Sequence, residues 1–212
     1  MPYPVRHEFA IIAAMRQEAN STSDKPFKTA RKGPKIPKKI TETYLSNSGK
    51  YYLERFAAST EQFRRVMTRK INKSCKAHTD QSADTCFAML ESVIAKFQDL
   101  GFLNDKGYAG GLINSLKNRG WPRNRIILRL KEKGISADLI DELVADPSAD
   151  ENFRNALVWI RRRKLGAYSI RQRGFEKDLA ALARAGFDYE SANRALSLNK
   201  EDIEDYLKTD QA

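Results

Sequence analysis

The side chains of this sequence best suited to chemistry are its arginines. Arg64-Arg65 and Arg69-Lys70 form one cluster, and Arg119, Arg123, Arg125 and Arg129 form a second. Arg161-Arg162-Arg163-Lys164 with Arg171 and Arg173 form a third. A guanidinium presents a planar fork of donors that pairs bidentately with carboxylates and phosphates. Clusters recurring at comparable places along a chain suggest one continuous basic strip facing an anionic partner. The plain alternative is that these charges only solvate the exposed faces of helices.

Catalytic chemistry is thinly provided. The chain has two histidines, His7 and His78, so a general base would have to be a perturbed carboxylate, and no spacing singles out a pair. Gly101, Gly107, Gly110 and Gly111 lie close together but not in the order of a phosphate-binding loop. Cys75, His78 and Cys86 offer three soft ligands, whereas structural zinc takes four and no nearby fourth is evident. Two ordinary thiols and a surface histidine are expected there. Trp121 and Trp159 could stack bases, but each adjoins an apolar stripe, the mark of core or inter-repeat packing. A protein that is not an enzyme, with no metal and no cofactor, is expected.

Charge points the same way. Among 212 residues, 38 Lys and Arg face 27 Asp and Glu, a net charge of +11. Such a surplus attracts polyanions. Residues 1–40 hold nine basic and three acidic residues, so six of the eleven surplus charges lie there. Pro26, Pro34, Pro37 and the run Arg31-Lys32-Gly33-Pro34-Lys35 oppose both helix and core. A disordered basic arm is expected over residues 1–40, with at most a short helix from Phe9 to Ala19. It is either a solvated tail or an electrostatic tether to nucleic acid. Two cysteines are too few for a disulfide framework and suit a reducing cytoplasm. No apolar run reaches the roughly 18 residues of a spanning helix. The start lacks a signal-peptide pattern, so a cytoplasmic protein away from membrane is expected.

The elements that must carry the arginines read as helices. Tyr44, Leu45, Tyr52, Leu53 and Phe56 can share one face. Ser59 and Gln62 form a capping box ahead of Phe63, Val66, Met67 and Ile71. Phe87, Leu90, Val93, Ile94 and Phe97 follow, ending before Gly101. Asp105 opens a helix that stops at Gly120. Pro122 opens the next, with Ile126, Ile127 and Leu130 before Gly134. Ser136 caps a third bearing Leu139, Ile140 and Leu143. Phe153, Leu157 and Ile160, then Phe175, Leu179 and Leu182, then Ala192, Ala195 and Leu196 mark three more. A shift of 52 residues lays Leu130, Gly134 and Ile135 on Leu182, Gly186 and Phe187. The expected fold is all-α, with three tandem three-helix repeats stacked into an elongated, curved molecule. The expected boundaries are 41–103, 104–148 and 149–198, with an acidic tail over 199–212 that is frayed or gains a turn or two at Ile203 and Leu207.

Gly101-Phe102-Leu103-Asn104-Asp105 followed by Tyr108-Ala109 resembles the junction between the first and second repeats of the RecX family. Arg119-Gly120-Trp121-Pro122 leading to Leu130, Gly134 and Ile135 resembles the family's second repeat. Arg173-Gly174-Phe175 leading to Leu182, Gly186 and Phe187 resembles its third. The resemblance covers about residues 41–198. It implies a protein that lodges in the groove of the RecA–DNA filament, bridges neighbouring protomers and restrains recombinase, ATPase and coprotease output without catalysis. The implied partners are RecA and, directly or through the filament, single- or double-stranded DNA, with the chain itself a monomer. The arginine clusters are the candidate contacts. A sequence-independent DNA- or RNA-binding helical module is the competing expectation.

Overall fold

Apolar residues recur at helical spacing from Thr41 onward, and the chain folds accordingly. The computed structural model describes residues 36–170 and 174–209. These form α-helices and one 3-10 turn, with no strand among the described residues.

Three helices close the first group: α1 (Glu42–Leu53), α2 (Thr60–Ala77) and α3 (Ala83–Asp99). Phe63, Met67 and Ile71 of α2 meet Leu90, Val93 and Phe97 of α3 in one core with Leu45 of α1. Ser59 caps α2 as expected, its Oγ accepting from the Gln62 N–H at 3.1 Å. The Gln62 side chain does not reach back to complete the box. It donates to the Tyr52 hydroxyl instead, at 3.2 Å. Phe56 falls beyond the end of α1 and is exposed.

The second group is α4 (Asp105–Lys117), α5 (Arg123–Glu132) and α6 (Ala137–Leu143), around Ile113, Leu116, Ile126, Leu130 and Ile140. The third is α7 (Ala149–Arg163), the 3-10 turn Gly166–Tyr168, α8 (Phe175–Ala185), α9 (Tyr189–Leu196) and α10 (Lys200–Thr209). Its core gathers Phe153, Leu157, Ile160, Leu182 and Leu196. Helix α10 occupies most of the stretch expected to be a frayed tail. Ile203 and Leu207 stand one turn apart on it, and both are buried in this core. That is enough to hold an otherwise acidic segment, so the third group has four helices.

Residues 1–35, which carry most of the expected basic arm, lie outside the described residues. The arm's expected end at residue 40 is ordered. Ile40 is buried in the first core. Its N–H and carbonyl both bond the Gln81 side chain at 2.9 Å. His78 Nε2 donates to the Pro37 carbonyl at 2.7 Å, and Ser74 Oγ to the Lys38 carbonyl at 2.8 Å.

One device ends four of the helices. A residue enters the left-handed region, and the amide of the next, apolar residue donates back to a carbonyl five positions earlier. Gly120 is followed by Trp121 bonding Leu116, and Gly134 by Ile135 bonding Leu130, each at 3.1 Å. Lys164 is followed by Leu165 bonding Ile160 at 3.1 Å, and Gly186 by Phe187 bonding Leu182 at 3.2 Å. Gly134 and Gly186 are the pair that the 52-residue shift superposes. Three of these positions hold glycine, which adopts positive φ without steric cost. Lys164, at φ 55°, is the exception.

The first and second groups meet end to end through polar contacts. The Thr60 N–H, an unpaired donor at the start of α2, donates to the Asp105 carboxylate at 2.7 Å. At the far end of α5, the Lys133 carbonyl accepts from Ser59 Oγ, and the Glu132 carbonyl accepts from Arg65 at 3.1 Å. Lys133 Nζ donates to Gln62 at 2.9 Å. Each helix end thus satisfies orphan backbone groups of its neighbour. Among the described residues no side chain belongs to both cores.

Lys164 generates a stability prediction. A left-handed side chain costs about 1–2 kcal/mol, offset in part by the flexibility glycine adds to the unfolded chain. Lys164→Gly is therefore expected to stabilise by about 0.5–1 kcal/mol, read as a higher denaturant midpoint at unchanged slope. A lower midpoint would mean that the lysine side chain, not its backbone, sets the stability there.

Candidate functional site

The candidate side chains separate by what they touch. Arg64 is engaged within the first group. Its Nε and Nη2 donate to the two oxygens of Glu91 on α3, each at 2.9 Å, and its Nη1 to Glu61 at 2.9 Å. The Arg64 guanidinium holds the Glu91 carboxyl below the usual range. Partial burial pushes the Glu61 carboxyl up, but hydrogen bonds from Arg64 and Arg65 outweigh it and leave it lowered. Arg123 turns to the end of α6, donating to the Val144 and Ala145 carbonyls at 3.2 Å and pairing with Asp146. Arg161 turns to α10, where it meets Glu204 at 3.1 Å. These three fasten helices together. Arg69, Arg119, Arg162 and Lys164 are exposed, Arg69 bonding back to the Arg65 carbonyl at 3.3 Å. Arg171 and Arg173 lie outside the described residues.

The remaining four form a linked row across all three groups. Arg65 bonds Glu61 on its own helix and the Glu132 carbonyl at the end of α5. Arg129 bonds the Glu132 side chain at 2.7 Å. One turn back on α5, Arg125 sits over Trp121 and Trp159, 4.9 and 5.2 Å from the ring centres. Arg163 lies 4.8 Å from the Trp159 ring. The strip expected from sequence is therefore not uniform. Arg65, Arg129, Arg125 and Arg163 follow one another, while Arg64, Arg123 and Arg161 point to other partners.

The row is seated on an aromatic joint between the second and third groups. Trp121 packs against both cores. Its ring stands edge-on to Trp159 at 6.3 Å, and Phe187 meets Trp159 from 6.1 Å. Gly120 lets α7 approach: a methyl there would fall 2.6 Å from the Asn155 carbonyl oxygen. Trp159 is 5% exposed, so it serves packing, the plainer of the two readings for the tryptophans. Beside the joint lies a cleft of about 520 Å³, lined by Arg125, Arg129, Leu128, Glu132 and Arg184 among others. Sequence clustering missed Arg184, which stands alone among alanines. The 52-residue shift carries a hint of it, since it lays Arg184 on Glu132.

The other candidates resolve simply. Cys86 is buried; burial pushes its thiol up and neighbouring Cys75 adds to this. His78 faces Pro37 rather than the thiols. No group of three or more His, Cys, Asp or Glu is placed to hold a metal among the described residues. Nor is any helix among them long and apolar enough to cross a membrane. The Arg161 contact belongs to a small network in which the Tyr168 hydroxyl donates to Glu204 at 2.6 Å. Burial and the Glu204 carboxylate push the Tyr168 hydroxyl up to about 12. The Tyr168 bond and the Arg161 charge together hold the Glu204 carboxyl down.

Comparison with known proteins bears on this arrangement. Residues 104–144, which span α4 to α6, match the family model described as RecX, second three-helix domain. The chain is 35% identical over 179 residues to the regulatory protein RecX of Myxococcus xanthus, covering 82% of this chain and 95% of that one. It is 26% identical over 108 residues to the regulatory protein RecX of Streptomyces coelicolor, covering 50% and 57%. With that of Clostridioides difficile it shares 28% over 111 residues, covering 51% and 52%. No solved structure matches the chain.

The Tyr168 network gives a pH prediction with a definite sign. A hydroxyl raised to about 12 on folding adds stability that is fully present below its ordinary value of 10 and is lost as pH rises through 12. Ultraviolet titration should show a tyrosine ionising near 12 that disappears in Tyr168→Phe. Persistence of that step in the variant would assign it to another tyrosine.

Proposed function

Because the chain belongs to the RecX family of regulatory proteins, we propose that it binds the RecA–DNA filament and restrains RecA recombinase, ATPase and coprotease output in DNA repair and the SOS response. Identity of 35% across 95% of a regulatory protein RecX is the observation that carries this reading. The row Arg65, Arg129, Arg125 and Arg163 supports it, since one surface touches all three helical groups. Residues 41–103, 104–148 and 149–198 act as successive repeats, each contributing cations to the contact. The exposed Arg69, Arg119, Arg162 and Lys164, together with Arg171 and Arg173, are further candidate contacts. The protein works by occupancy as a cytoplasmic monomer, with DNA met directly or through the filament.

The preset guanidiniums explain how such a surface would bind. A free arginine loses rotamer freedom when it pairs, at about 0.5–1.5 kcal/mol per side chain. Arg125 is already held over two indoles, so less is lost on contact. The basic surplus of residues 1–40 favours a second reading, direct sequence-independent binding of DNA or RNA.

ATP hydrolysis by RecA on single-stranded DNA tests the proposal. Inhibition is expected at near-stoichiometric ratios. Arg129→Ala with Arg163→Ala should raise the half-inhibitory concentration about tenfold, or roughly 1.4 kcal/mol, at unchanged melting temperature. Absence of inhibition, together with tight and steeply salt-dependent DNA binding, would replace the proposal with the second reading.

A further inference from the structure

We propose that the cleft between α5 and the end of α8 is a docking site for an acidic peptide segment that carries an apolar side chain. This deepens the reading of the arginine row as the contact surface and assigns one part of it to protein rather than nucleic acid.

Charge and shape lead to that occupant. Arg125, Arg129 and Arg184 line the cleft, and Glu132 is the one carboxylate among its lining residues. Among the described residues no carboxylate pairs with Arg184, while Arg129 is already bonded to Glu132. The open cations therefore exceed the anions, and the surplus suits carboxylates or phosphates.

Three features favour the carboxylate. Nucleic acid without sequence preference binds by stacking bases on open aromatic faces. Here Trp159 is 5% exposed, with Arg125, Arg163, Trp121 and Phe187 around its ring. The half-buried Trp121 ring lines the cleft, with Arg125 over it and Trp159 edge-on to it. Arg125 thus competes with any base for the one indole that lines the cleft. Next, Leu128 lies in the same cleft and is 58% exposed. A leucine has no counterpart on a sugar–phosphate backbone but does on a peptide. Finally, the Glu132 carboxylate accepts hydrogen bonds, which a peptide N–H supplies and a phosphodiester does not. A volume of about 520 Å³ holds a few side chains rather than a duplex.

Fluorescence anisotropy with a labelled Gly-Ser-Asp-Glu-Leu-Asp-Glu-Ser-Gly peptide tests the site, beside the same peptide with Ser for Leu and an oligothymidylate of similar length. Arg184→Glu and Leu128→Ser each alter an exposed side chain and are expected to weaken the peptide about fivefold or more. Lys96→Glu makes the same charge change at an exposed position on α3, outside the cleft, and should alter affinity by less than about twofold. Equal losses for Arg184→Glu and Lys96→Glu would overturn the proposal in favour of diffuse attraction. So would indifference to both leucines, the peptide's and Leu128. Tighter oligothymidylate binding, with the same sensitivity to Arg184→Glu, would make the cleft a nucleic-acid site. No RecA is present, so failure here leaves the filament assay untouched, and absent RecA inhibition leaves a positive peptide result standing.

Discussion

A left-handed residue followed by an apolar one packed on the core is the constraint on which the rest of this structure depends. The turn reverses the chain, satisfies late carbonyls of the helix and drives the next side chain into the core. Two of those side chains, Trp121 and Phe187, flank Trp159. The joint between the second and third groups is thus assembled from residues that helix endings put in place. Arg125 and Arg163 then take their positions from the indoles. Moving either glycine turn would displace the aromatic joint, and the cations with it.

Much of this was legible in the sequence. A glycine followed by an apolar residue at the end of a periodic stretch has one economical structural meaning, and its recurrence at a 52-residue shift revealed related units. Ser59 and Ser136 announced helix starts; Ser59 accepts the expected backbone bond, whereas Ser136 holds its place without one. Lys164 was not legible as a turn, because lysine rarely adopts that conformation and nothing local marks it. Ile203 and Leu207 hinted at a turn or two in the acidic tail, but its charge hid the full ten-residue length of α10.

The arginines show where a one-dimensional reading stops. Adjacent guanidiniums leave a helix about 100° apart and meet different neighbours. Arg64 finds Glu91, and Arg161 finds Glu204, 43 positions away. Spacing places such residues on a helix but does not say whether the fork is already occupied. Exposed ion pairs contribute little to stability, a median of about 0–1 kcal/mol. Their larger effect here is selective. They withdraw some cations from the surface and leave others available.

The two joints also differ in how they answer temperature. Contacts between the second and third groups rest on buried aromatic surface, whose contribution weakens on cooling. The first and second groups meet at Thr60, Asp105, Ser59 and Lys133 through hydrogen bonds, and their cores share no side chain. Bonds of that kind lack the same dependence. Cold therefore acts first on the seam beneath Arg125, while the first group keeps its grip on the second.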